Sequence, residues 1–259
     1  MIAKKIILCL SRSLKIDLVV LAIRNVGILN SGNVEKTGEK FVIDNLLPKK
    51  ITSDKPVIFD VGCNIGEYTA LLSETFPRAD IYSFEPNPKV FAIMKANLSK
   101  YGNVICENFG FGSDIGREKM FSYSKIENSV FGTLDKSALR DLYKVDDKIE
   151  EIQFSIDTID NYCAKKNISH IDFLKIDTEG QELNVLMGAR QMLTNNRINI
   201  IQFEFNNFNV YYRVFLKDFY DILNQYDFFR THSDRLVPLG EYDTINEIFK
   251  FQNIVCIKK

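Results

Sequence analysis

The chain has 259 residues, 46% hydrophobic and 26% charged, with 33 basic residues against 34 acidic ones and a net charge of −1. Such a length predicts one large globular domain with a sizeable core and room for a small appendage, and the near-neutral balance supplies no electrostatic drive toward nucleic acid. Two histidines, His170 and His232, exclude a histidine-rich metal site, and five scattered cysteines without metal-ligand spacing (Cys9, Cys63, Cys106, Cys163, Cys256) predict reduced core thiols in a cytoplasmic protein.

In chain order, Lys4 and Lys5 precede an apolar run, Ile6 to Leu10, that is too short for a signal-peptide core and is followed by no small-residue cleavage site. Arg12, Lys15, Asp17 and Arg24 interrupt every window of membrane-spanning length. Leu14, Leu18, Val19, Leu21, Ile23 and Val26 mark an amphipathic helix. Two roles are open to it: packing on the main domain or on a second subunit as a homodimer contact, or peripheral attachment to the inner face of a membrane. Residues 33–50 read as irregular and close an N-terminal helical appendage of residues 1–50.

From residue 51 strands and helices alternate, which predicts a parallel sheet covered on both faces. The strands are Pro56 to Val61, Ile81 to Phe84, Val104 to Phe109, Ile171 to Ile176 and Ile198 to Phe205. Helices are expected from Glu67 to Phe76, after Pro88, from Ile159 to Lys166, from Gln181 to Leu193 and from Leu216 to Tyr226. Between them, Gly110 to Gly116 reads as a turn and Arg117 to Tyr123 as a short strand. Residues 124–150 read as a polar insertion or lid, and Ile152 to Ile156 as an edge strand. Phe228 to Thr231 and Ile254 to Ile257 are expected to close the sheet as a hairpin.

Ligands bind outside the carboxyl ends of strands in such sheets. Here the strands end in Asp60-Val61-Gly62-Cys63-Asn64-Ile65-Gly66, in Glu85, in Glu107-Asn108, in Lys175-Ile176-Asp177-Thr178-Glu179 and in Glu204. Five polar endings on one rim point to a site there. The Gly-x-Asn-x-Gly turn lacks the Gly-x-Gly-x-x-Gly spacing that seats a pyrophosphate. Asp60 and the Gly62 to Gly66 backbone instead suit the carboxylate and ammonium of S-adenosylmethionine, and Glu85, about twenty residues on, suits its ribose hydroxyls. Glu107 or Asn108 is the candidate for the adenine edge. Lys175, Asp177 and Glu179, two residues apart, share one face in an extended chain; they form either an ion-pair network or part of the catalytic apparatus. Asp177 is the first candidate for a general base and Glu204 the second. Together the two could instead hold a divalent cation, a marginal site without a histidine. Ser129 is a candidate lining residue for an acceptor pocket.

These residues together resemble the FkbM-type methyltransferases. Phe59 to Thr69 is similar to that family's first motif, with Cys63 where a small residue usually stands, and Phe84-Glu85-Pro86-Asn87-Pro88 to its second. Ile171 to Glu182, continuing to Val185-Leu186-Met187-Gly188-Ala189, resembles its most distinctive segment, flanked by Thr158-Ile159-Asp160 and Phe203-Glu204. The resemblance spans about Val57 to Phe205. It implies a class I methyltransferase (Rossmann-like) α/β fold over residues 51–259, with Tyr68, Thr69, Pro86 and Asp177 among the cofactor-binding residues. It also implies transfer to oxygen, often on a sugar of a surface glycan or a secondary metabolite. A nicotinamide oxidoreductase and a non-catalytic cofactor-binding scaffold in glycan assembly are the alternatives.

Overall fold

The computed structural model describes residues 11, 13–126, 129–144 and 149–259. Among these the strands are β1 Val57–Val61, β2 Asp80–Phe84, β3 Val104–Glu107, β4 Gly110–Phe111, β5 Gly116–Ile126, β6 Ser129–Thr133, β7 Ile149–Asp157, β8 Ile171–Ile176, β9 Ile198–Phe205, β10 Tyr226–Thr231, β11 Leu236–Pro238 and β12 Gln252–Lys258. Eight of them form the main sheet, in the order β11-β10-β12-β9-β8-β1-β2-β3. β9, β8, β1, β2 and β3 run parallel, while β12 lies antiparallel between β9 and β10. This is the mostly parallel sheet with a C-terminal antiparallel strand that the alternation predicts; β11 is an added edge strand.

Central β8 is buried at every position, as a strand covered on both faces must be. One face meets the large cluster around Phe59, Phe84, Leu174, Ile201 and Phe203; the other meets Ile58, Leu72, Ile81, Phe173 and Ile200. Two carboxylates fasten the layers. Asp172 Oδ2 accepts from Val57 N at 2.9 Å, joining β8 to the start of β1. Asp160 accepts from Gln191 N at 2.8 Å and Met192 N at 2.9 Å, seating the helix Arg190–Thr194. Backbone N–H groups at a helix start favour such a partner.

The segment 33–50, expected to be irregular, is largely helical. Glu39–Phe41, Val42–Leu46 and Leu47–Lys50 run on as one helix with a π turn in its middle. Pro48 has no N–H to donate, and a widened turn accommodates it, which hides the helix from a simple periodicity reading. Its Val42, Ile43, Leu46 and Leu47 lie in the same cluster as Ile58 and Phe173, so core packing crosses residue 50. The helix near the N-terminus is shorter than expected, Leu18–Asn25. The stretch 181–193 breaks into Glu182–Met187 and Arg190–Thr194, and the helix from Leu216 stops at Ile222 because Tyr226 already belongs to β10. A short helix, Phe208–Tyr212, follows β9.

The largest departure lies between the third and fourth parallel strands. The expected turn and short strand and the ends of the expected lid belong to a second sheet, ordered β4-β7-β5-β6, and a helix, Lys136–Tyr143, stands between β6 and β7; residues 127–128 and 145–148 of that segment lie outside the described residues. β5 pairs with β7 from Gly116↔Ile156 to Tyr123↔Ile149. Arg117 and Lys119 of β5 and Glu150 and Glu151 of β7 are exposed, so part of the charged sequence in this region belongs to the wet side of strands. No helix among the described residues is long and apolar enough to cross a membrane.

Candidate functional site

Two cavities open at the carboxyl ends of the central strands. The first, of about 250 Å³, is floored by Gly62, Asn64, Glu85 and Pro86. Met120, Thr133, Phe154 and Ile156 roof it, so the second sheet closes over the rim of the first. Thr133 Oγ1 lies 2.6 Å from Tyr212 Oη, tying this roof to the helix after β9.

The turn after β1 is shaped by close approach. Gly62 has φ +79°, and a Cβ there would stand 1.8 Å from Asp177 O. Only glycine allows the β1 turn to lie against the end of β8. Gly62 N and Cys63 N both donate to Phe84 O, at 3.0 and 3.1 Å, and hold the turn beside Glu85. The Glu85 carboxylate is 7% exposed and accepts from Asn64 N at 3.1 Å and Asn87 N at 2.8 Å. Burial outweighs these bonds and pushes its pKa up to about 7.

Several sequence candidates face elsewhere. Glu107 accepts from Tyr162 Oη at 2.9 Å and pairs with Lys166 Nζ at 3.1 Å, outside the first cavity. Asn108 donates to Glu85 O at 2.8 Å and so braces the rim from behind. The reason is strand alternation: at the end of β3 the side chains turn toward the helix Ile159–Lys166 and the β2 backbone. Tyr68 and Thr69 point into the buried layer under the sheet. Tyr68 Oη donates to Gln202 Oε1 at 3.2 Å, while Thr69 Oγ1 donates to Asp60 Oδ2 at 2.6 Å and lies 2.8 Å from Ser83 Oγ. Asp60 is fully buried, with Oδ1 unpartnered, and burial raises its pKa. Gly66 caps the helix Glu67–Thr75 and packs on Leu98. Asp60, Ser83, Lys175 and Gln202 stand in register across four strands, a polar row one layer below the rim.

The second cavity, of about 630 Å³, lies on the far side of the β8 ending. Asp177, Glu179, Glu204 and Asn206 line it, with Phe208 and Phe251. Lys175 Nζ reaches Asp177 Oδ2 at 2.9 Å and Glu39 Oε1 at 3.8 Å, and sits 4.9 Å from the centre of the Tyr68 ring. Burial works to lower its pKa, but Asp177, Asp60 and Glu39 outweigh burial and raise it. Asn206 Nδ2 donates to Glu204 Oε1 and, at 3.5 Å, to Glu179 Oε2. Burial first, then the charge of Asp177, raises both glutamates, Glu179 to about 8 and Glu204 well above the ordinary range.

Glu179 lines both cavities. Its loop is organised by Glu182, whose Oε1 accepts from Thr178 N at 2.8 Å, Thr178 Oγ1 at 3.1 Å and Gly180 N at 3.1 Å. Glu182 is a residue that sequence reasoning left without a role; four residues after Thr178, it lacks the three-residue spacing of a capping box that would have marked it. The roof residues of the second sheet and the Leu29, Lys250 and Phe251 wall were likewise missed, because they come from segments far away in the chain. Ser129 opens β6, and its side chain lies outside the described residues.

Neither histidine lines either of these two cavities: His170 is 3.7 Å from Asp172, and His232 rests on Asp234. Cys63, Cys163 and Cys256 are buried free thiols and Cys106 is half-buried, while Cys9 lies outside the described residues. Among the described residues no group of three or more His, Cys, Asp or Glu side chains is arranged to hold a metal ion.

Residues 60–230 match the family described as the methyltransferase FkbM domain. The chain is 30% identical over 168 residues to the hexuronic acid methyltransferase AglP of Haloferax volcanii, covering 64% of this chain and 62% of that protein. It is 27% identical over 155 residues to the 31-O-demethyl-FK506 methyltransferase FkbM of Streptomyces tacrolimicus, covering 51% of this chain and 59% of that one. The first curated relatives differ widely in size, and the chain spans from 9% to 67% of their length. The crystal structure of a methyltransferase FkbM from Methylobacillus flagellatus KT superposes with a TM-score of 0.52 at 14% identity, over 86% of this chain and 50% of that one, and shares the fold.

Proposed function

The chain belongs to the FkbM methyltransferase family, and from that membership we propose that it transfers a methyl group from S-adenosylmethionine to a hydroxyl oxygen of a sugar or a secondary metabolite. The observation that carries the reading is the position of Glu179, in the wall common to a cavity suited to the cofactor and a second cavity lined with carboxylates.

The first cavity fits the cofactor in three respects. The Gly62 turn lets a ligand approach backbone closely. Glu85, buried and with acceptor capacity beyond its two N–H partners, suits paired ribose hydroxyls. Phe84, Met120, Phe154 and Ile156 offer apolar surface for a flat base. When bound, the cofactor supplies a methyl group on a positively charged sulfur. The names of the relatives, one a hexuronic acid methyltransferase and one acting on an O-demethylated metabolite, support oxygen as the acceptor atom.

In this reading the acceptor lies in the second cavity, where Phe208 and Phe251 offer flat apolar surface and the carboxylates accept from hydroxyls. Asp177, held by Lys175, and Glu204, held by Asn206, orient the acceptor. Glu179 takes the proton from the reacting hydroxyl as the new carbon–oxygen bond forms. A carboxylate whose pKa is raised toward the working pH is a better proton acceptor than one held by a cation, so Glu179 replaces Asp177 as the first candidate base. Most of the acceleration comes from alignment across the shared wall.

Calorimetric titration tests the cofactor: micromolar binding of S-adenosylmethionine and of its demethylated product is expected, and none of NAD or NADP. Micromolar binding of a dinucleotide with no binding of S-adenosylmethionine would overturn the reading.

A further inference from the structure

The helix Leu18–Asn25 is held at both ends and only half-buried along one side, at Leu18, Val20 and Ile23. Asp17 caps its start, accepting from Val19 N at 2.9 Å and Val20 N at 3.2 Å. Its far end is pinned to the body of the protein. Arg235 donates to Asn25 O at 2.9 Å, Ile28 is fully buried, and Leu29 N donates to Phe251 O at 2.9 Å. Gly27, at φ +88°, lies so close to Thr231 that a Cβ would stand 2.2 Å from its carbonyl oxygen. Yet no residue of the helix is buried. Val19 is 69% and Leu21 56% exposed, and Leu14 and Ile16, just before it, are exposed as well. Its run Leu-Val-Val-Leu-Ala-Ile is apolar all round, a pattern that elsewhere belongs inside a protein or against lipid.

Charge identifies what covers it. The first 29 residues carry five basic side chains, Lys4, Lys5, Arg12, Lys15 and Arg24, against the single acid Asp17, in a chain whose overall charge is −1. A second copy docked antiparallel through the same helix about a two-fold axis would bring Lys15 of one copy toward Arg24 of the other. A layer of anionic headgroups attracts them and accepts the apolar side chains beneath.

The chain that leaves this helix forms one wall of the second cavity, through Leu29, Ser31 and Gly32. Further exposed apolar residues stand close by. Val210 lies on the helix whose Phe208 lines the cavity, and Phe215 packs edge-on against Phe249, next to the lining residues Lys250 and Phe251. We propose that the helix Leu18–Asn25 docks on an anionic lipid surface and that the second cavity takes its acceptor at that surface, as a hydroxylated group carried by a lipid. The docking stands on the helix alone; the lipid-borne acceptor also rests on the methyl-transfer reading.

The test is flotation of the full chain with vesicles of phosphatidylcholine alone and of phosphatidylcholine with phosphatidylglycerol. Recovery with the anionic vesicles is expected, decreasing as salt rises. The double variant Val19→Glu, Leu21→Glu is expected to bind about tenfold or more weakly. Both side chains are exposed, so its melting temperature and its affinity for S-adenosylmethionine should match those of the parent chain. Three results would overturn the docking: no recovery with anionic vesicles, equal recovery of parent and variant, or a dimer in solution that the variant dissociates. Vesicle binding without any cofactor binding would leave the docking intact and remove the lipid-borne acceptor.

Discussion

Lys175 Nζ lies 2.9 Å from Asp177 Oδ2, and the two residues are neighbours on one face of the same strand ending. The lysine is 3% exposed. Its ammonium also lies 3.8 Å from Glu39 Oε1 and interacts with the charge of Asp60, so a single cation serves carboxylates from β1, the residue after β8 and the helix that begins at Glu39.

Replacing that cation is therefore costly. Lys175→Met should destabilise the protein by about 3–5 kcal/mol, because it leaves buried carboxylates uncompensated. Urea denaturation would measure this. A loss below about 1 kcal/mol would mean that those acids are already neutral in the folded protein.

Glu179→Gln should retain affinity for S-adenosylmethionine within a factor of about three and lose about 10²–10⁴ in turnover, the usual contribution of a positioned proton acceptor. Asp177→Asn should lose less in turnover and more in acceptor KM. Equal and small effects in both variants would remove general-base catalysis from the mechanism.

Glu85 must be ionised to accept two hydroxyls. With its pKa near 7, cofactor affinity should fall as pH drops below about 7, and Glu85→Gln should weaken binding at high pH and flatten this dependence. Titrations at pH 6 and pH 8 on both proteins would check it.

Buried glutamates should also shape stability. Burial raises Glu85, Glu179 and Glu182 from 4.5 to about 7, about 8 and about 7. In that window the folded state holds more protons than the unfolded one, so the stability these three groups contribute is fully present below about pH 4.5 and is lost as pH rises through 7 to 8. Melting temperature without cofactor should therefore be lower at pH 8 than at pH 5.5. The triple variant to glutamine should lose that slope.

Gly62→Ala combines a positive φ with a Cβ that collides with Asp177 O. It should cost at least about 1–3 kcal/mol in thermal or chemical unfolding and abolish cofactor binding, since the turn can relieve the collision only by leaving the β8 ending.

The parallel strands were legible because their residues are buried on both faces and read as continuous apolar runs; β8 and β9 fall on their expected bounds, Ile171–Ile176 and Ile198–Phe205. The rim was legible because each strand ends abruptly in a polar residue, as the Gly62 turn, Glu85 and Asp177 all do. Periodicity could not separate the second sheet from a loop, since strands with one wet face and a charged sequence look alike either way.

What the amino-acid order determined by itself was the alternation of elements and the residue types at the strand ends, because both follow from local spacing and burial. Only the tertiary structure decided which of those residues meet. Pleating sent Glu107 and Asn108 away from the cavity and left Glu85 in it. Packing brought Glu39 to Lys175 across more than a hundred residues, and the Gly62 turn against Asp177. The wall that Glu179 presents to both cavities arises where β1, β8 and β9 end side by side, a neighbourhood set by sheet order and not by distance along the chain.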